Sequence, residues 1–136
     1  MSSVTGKGIP LDAYKLDHAC GAVESAVIEQ KAKDIVIVEG QGSILHPGST
    51  ATLPLMRGTC PTHMILCHIA RNDSLRSLEN IKIPDLKKFI KLNEELATVI
   101  GTYPDTKVIG IALNTILMTD EAAKEYMKKT EEETGL

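Results

Sequence analysis

The run Asp34-Ile35-Val36-Ile37-Val38-Glu39-Gly40-Gln41-Gly42-Ser43 takes a stretch of branched apolar residues abruptly into a carboxylate flanked by glycines. Without period-2 alternation, Asp34 to Val38 reads as a strand buried on both faces, the mark of a parallel sheet covered by helices. Glu39 then falls at the carboxyl tip of that strand. Ligands of open parallel sheets bind along this edge, and Gly40 and Gly42 let backbone approach a ligand where a Cβ would obstruct it. The competing reading is a carboxylate that only caps a turn.

Working outward, two more runs have strand character: Thr62 to Ile69, led in by Pro61, and Lys107 to Leu113, led in by Pro104-Asp105. Helical spacing separates them. Pro10 to Gln30 repeats Leu16, Cys20, Val23 and Val27 on one face, and Gly21 within it costs about 1 kcal/mol relative to alanine. Thr52 to Arg57 reads as a short helix closed by Gly58. Pro84 to Ile100 carries Leu86, Phe89, Ile90, Asn93, Leu96, Ala97 and Ile100 on one face and is closed by Gly101. Thr119 is placed to cap a last helix reaching Glu133. The order αβαβαβα predicts an α/β fold, a three-layer parallel sheet with flanking helices, as one domain over residues 1–136. Three strands make a narrow sheet and the chain begins in loop-like sequence, so we expect the later part of a larger, amino-terminally truncated domain.

Composition narrows the partners. The chain has 136 residues, a formal net charge of -3, no Trp and one Phe, so it offers neither a basic face nor a stacking platform, and nucleic acid is not an expected partner. Three cysteines, Cys20, Cys60 and Cys67, lack a Cys-x-x-Cys pair, which suits reduced thiols and a cytoplasmic location. No apolar stretch is long enough to span a bilayer, and Met1 to Pro10 lack the apolar core of a signal peptide. The expected ligand is a small molecule.

The residues after each strand are the candidates for chemistry. Glu39 and His46 are the catalytic candidates: the carboxylate can hold Mg2+, and the imidazole in Leu45-His46-Pro47-Gly48 can act as a general base or an orienting donor. Gly40, Gln41, Gly42, Ser43, His68, Arg71, Arg76 and Asn114 are the candidates for binding substrate or cofactor. The two arginines suit anions, against the plainer reading of surface arginines, and Asn114 suits a base edge or simply a turn. A phosphate cradle of the form Gly-x-x-x-x-Gly-Lys-Ser/Thr is absent, since Thr5-Gly6-Lys7-Gly8 lacks its first glycine and its hydroxyl residue. Cys60, His63, Cys67 and His68 have zinc-ligand chemistry but alternate faces on a strand. His63 and Cys67 are expected on a helix-covered side, with His68 reaching the crevice.

Val38-Glu39-Gly40-Gln41-Gly42-Ser43 with His46-Pro47, Leu66-Cys67-His68, Leu92-Asn93, Asn114-Thr115 and Gly8-Ile9-Pro10-Leu11-Asp12-Ala13 together resemble one family, the D-glutamate N-acetyltransferases, whose members often carry the label NAD-dependent epimerase/dehydratase. That label is unsupported here, because no Gly-x-Gly-x-x-Gly occurs. The resemblance implies a P-loop-type carboxyl-terminal domain joined to an amino-terminal Rossmann-like domain, with this chain matching the later part of the former. Neither the phosphate loop nor the amino-terminal domain has a counterpart here. It further implies acetyl transfer from acetyl-CoA to a D-amino acid such as D-glutamate. Glu39 and His46 would activate the amine or polarise water and metal, and Arg71 or Arg76 would hold a carboxylate or the CoA phosphates; the isolated chain is expected to be inactive. Two alternatives stand beside it: an ATP- and Mg-dependent enzyme, because Glu-Gly-x-Gly also resembles dethiobiotin synthetase, and a non-catalytic fragment that folds and forms a homo-oligomer across an open sheet edge.

Overall fold

The computed structural model describes residues 8–40, 43–75 and 77–136. Its contacts divide the chain into two compact units, Met1–Cys60 and Pro61–Leu136.

In the first unit a short 3-10 turn, Leu11–Ala13, precedes helix α1, Leu16–Ile28. The expected single helix is interrupted because Tyr14 and Lys15 take extended backbone, with ψ of 146° and 141°. Ala19 and Val23 of α1, one turn apart, are 3 % and 2 % exposed and form its packed face. Against them lies helix α2, Thr52–Thr59. Gly58 is not the terminator expected from sequence but a buried contact residue: a Cβ there would meet the Cys20 carbonyl oxygen and lie 2.7 Å from Val23 Cβ. The helix instead stops at Cys60, which takes the left-handed conformation at φ 45°.

The doubly buried strand expected over Asp34 to Val38 does not form. Among the described residues no ladder includes this run, and Ile35 and Ile37 are 79 % and 88 % exposed. Branched side chains favour a strand, yet a strand persists only when a neighbouring backbone takes up its N–H and C=O groups.

The second unit holds the parallel sheet. Strands β1, His63–Ile69, and β4, Lys107–Asn114, pair in parallel from His63↔Lys107 to Ile69↔Asn114, with a register shift between Met64 and Ile65. Between them run a small antiparallel hairpin, β2 (Ser74–Leu75) with β3 (Leu78–Lys82), and helix α3, Leu86–Thr98. The hairpin is missing from the sequence reading, because Ser77 reaches φ 65° at its turn without the Asn-Gly or Gly signal that marks such turns. Helix α4, Asp120–Thr134, follows β4.

Several side chains hold this unit together. Asp85 caps α3 by accepting from Lys88 N at 3.0 Å, and Thr119 caps α4 by accepting from Ala122 N at 3.3 Å. Phe89, Ile90 and Ala97 of α3 and Val108 of β4 form the core. Thr106, 2 % exposed, donates its hydroxyl to the Pro61 carbonyl at 2.6 Å and so joins the segments leading into both strands. Glu94 of α3 accepts from Val108 N at 2.9 Å and lies 3.6 Å from Lys107 Nζ. Helix α3 ends before Gly101: Val99 and Ile100 already sit at φ 48° and 53°, a conformation costly for branched residues and imposed by the return of the chain towards β4.

Candidate functional site

In the second unit the carboxyl ends of β1 and β4 lie side by side. Ala70 N donates to the Asn114 carbonyl at 3.1 Å, so the turns leaving the two strands are joined at their base. Arg71 follows at once in the left-handed conformation, φ 61°, and is exposed. Among the described residues it forms no ion pair, whereas the nearby Asp73 is engaged by Lys82 at 3.8 Å. Asn114 Oδ1 accepts from Ile116 N at 3.1 Å, an Asx turn that shapes the second loop, and Met118 N donates to the Thr115 carbonyl at 2.8 Å. The amide is thus used by its own loop through its oxygen. Arg71 and Asn114 are the two sequence-named candidates that this unit places together.

His68 lies elsewhere. The alternation along β1 leaves His63, Ile65, Cys67 and Ile69 exposed, while Met64, Leu66 and His68 are partly covered. His68 Nε2 is 3.3 Å from the Tyr126 hydroxyl of α4, with the rings stacked at 6.5 Å between centroids. The expectation that His63 and Cys67 lie on a helix-covered side is not met, since both are exposed and it is His68 that packs against α4. Strand parity was readable from sequence; which parity the helices cover depends on the packing of α3 and α4.

Burial lowers the pKa of His68 from its ordinary 6.5, since desolvation disfavours the imidazolium. In the unfolded chain the ring takes up a proton at higher pH than in the folded one. The stability it contributes is fully present above the unfolded value of about 6.5 and is lost as pH falls below that towards the folded value. Thermal melts between pH 7.5 and pH 5 should show this decline, and His68→Phe should flatten it. An equal slope in the variant would remove His68 as the cause.

In the first unit Glu39 is exposed, and a Cβ at Gly40 would meet the end of the Leu55 side chain of α2, which would have to shift to admit it. Gln41, Gly42 and Arg76 lie outside the described residues. Ser43 Oγ accepts from Leu45 N at 3.2 Å, and His46 Nδ1 accepts from Gly48 N at 3.1 Å. His46 thus turns its Nδ1 to the backbone of its own loop. A pocket of about 300 Å³ opens between residues 8–10 and α1, beside Tyr14 and His18, and includes neither Glu39 nor His46. Among the described residues no group of three His, Cys, Asp or Glu is arranged to hold a metal ion, and no helix is long and apolar enough to cross a membrane.

A parallel pair of strands with flanking helices makes this an α/β fold, and the family to which the chain matches is one described as a P-loop domain. The family model described as a domain of unknown function, DUF1611_C, P-loop domain, matches residues 1–136, and the chain belongs to that family. It is 33 % identical over 134 residues to a D-glutamate N-acetyltransferase of Tritonibacter scottomollicae and 30 % identical over 134 residues to one of a Pseudoalteromonas species. Each match covers 98 % of this chain and 40 % of the relative, so the chain spans well under half the length of these curated relatives. The crystal structure of a DUF1611 family protein from Anabaena variabilis is similar with a TM-score of 0.93 at 47 % identity, covering 96 % of this chain and 38 % of that one.

Proposed function

We propose that this chain is the carboxyl-terminal part of an N-acyltransferase that moves an acetyl group from acetyl-CoA to the amine of a D-amino acid such as D-glutamate. The observation that carries the reading is Arg71, exposed and without an ion-pair partner among the described residues, at the carboxyl end of β1 beside Asn114, in a chain similar throughout to proteins named for that transfer. A guanidinium held there matches the phosphates of CoA or a substrate carboxylate. Acyl transfer requires an ammonium to lose a proton before its nitrogen attacks the thioester carbonyl and the thiolate leaves. Glu39 is the candidate proton acceptor. His46, whose Nδ1 is engaged by its own loop, would orient the substrate.

The test is titration of the chain with acetyl-CoA by calorimetry, paired with Arg71→Gln. Binding by the unsubstituted chain, weakened about tenfold by the substitution, is expected from the loss of one charge-assisted contact. An absence of acetyl-CoA binding overturns the reading. A second reading, ATP- and Mg-dependent chemistry with Glu39 on the metal, draws on the P-loop description of the family. It requires Mg-dependent ATP binding that Glu39→Ala abolishes. Light scattering on the same samples checks the third, a homo-oligomer that binds neither ligand.

A further inference from the structure

The loop after β4 presents Ile116 and Leu117 at 83 % and 91 % exposure. A lone exposed apolar side chain needs no explanation. These two are adjacent, and they stand on a turn fixed at both ends: Asn114 Oδ1 accepts from Ile116 N at 3.1 Å, and Met118 N donates to the Thr115 carbonyl at 2.8 Å immediately before the Thr119 cap of α4. Turn crests ordinarily carry Gly, Asn, Asp, Ser or Pro. The position is also particular, because the crest rises from the carboxyl end of β4, joined by the Ala70–Asn114 hydrogen bond to the turn that carries Arg71. An apolar lip and a cation without an ion pair among the described residues therefore share one edge of the parallel sheet, the edge at which such sheets take ligands.

A ligand lying along this edge would meet both features. A purely anionic ligand would leave the lip in water, and a purely apolar one would leave the guanidinium unused. We propose that Ile116 and Leu117 seat the acyl-pantetheine arm of the thioester donor while Arg71 faces its phosphates. This inference rests on the acyl-transfer reading and adds to it the part of the donor that the β4 loop recognises. The Asx turn makes the seat rigid before binding, which reduces the ordering cost of association.

The experiment titrates the unsubstituted chain and the I116S/L117S double variant with acetyl-CoA and with adenosine 3′,5′-bisphosphate, which lacks the arm. Both positions are on the surface, and circular dichroism verifies that the variant is folded. The expected result is a loss of about tenfold in acetyl-CoA affinity with adenosine bisphosphate affinity unchanged. Unchanged acetyl-CoA affinity overturns the seat and leaves the acyl-transfer reading standing. Equal loss for both ligands also overturns it, by placing the lip at the nucleotide end. If the unsubstituted chain binds no acetyl-CoA, the acyl-transfer reading fails and the seat fails with it.

Discussion

Replacing Glu94 with alanine is expected to lower the unfolding free energy by about 2–3 kcal/mol, read from urea denaturation. The reason lies at Val108, which is 6 % exposed and whose N–H is accepted by the Glu94 carboxylate at 2.9 Å. Val108 precedes the register shift of the sheet, so its N–H is satisfied by a helix side chain. Removing the acceptor leaves a desolvated donor unpaired, the costly half of a hydrogen bond. Glu94→Gln separates this from charge. The amide still offers an oxygen, and only the Lys107 pair, at 3.6 Å and with its lysine 68 % exposed, is lost. Such an exposed pair contributes under about 1 kcal/mol. If glutamine proves as costly as alanine, the backbone acceptor is not what matters at this position.

Gly58→Ala is the second large effect, with a cost of about 2–3 kcal/mol, because the added methyl would press on the Cys20 carbonyl and on Val23 at 2.7 Å, and backbone cannot rotate away as a side chain would. In an unconstrained helix the same change would be favourable by about 1 kcal/mol. Gly21 supplies that contrast within the same unit: it lies inside α1, is exposed, and a Cβ there would meet nothing within 4 Å. Gly21→Ala should therefore stabilise the protein while Gly58→Ala destabilises it. Hydrogen exchange of the α1 and α2 amides locates both changes. Two shifts of the same sign would show that α1 and α2 do not approach closely at Gly58.

Much of the fold is legible in the chain. The apolar stripe of Leu86 to Ala97, the Thr119 cap and the uninterrupted runs Met64 to Ile69 and Val108 to Leu113 lead to α3, α4, β1 and β4 with boundaries within two residues of those expected. These are local signals, carried by spacing and capping chemistry. The candidate site is legible only in part. Arg71 and Asn114 follow strands that can be recognised, so their place at one sheet edge is a consequence of parallel pairing. The lip at Ile116 and Leu117 is invisible to periodicity, because an apolar pair after a strand reads equally well as a continuation of the core. Its exposure is seen only in the folded chain, on the turn that begins at Asn114.

The sequence by itself determined the α/β class, the two paired strands, the long helices, and the alternation that separates His68 from Cys67. Only the tertiary structure decided which side of that alternation the helices cover, that Gly58 is a contact rather than a stop, and that Asp34 to Val38 goes without a ladder. The physical reason is common to all three. Propensity and periodicity are properties of a few neighbouring residues, whereas coverage, close approach and strand pairing each depend on backbone brought in from elsewhere in the chain.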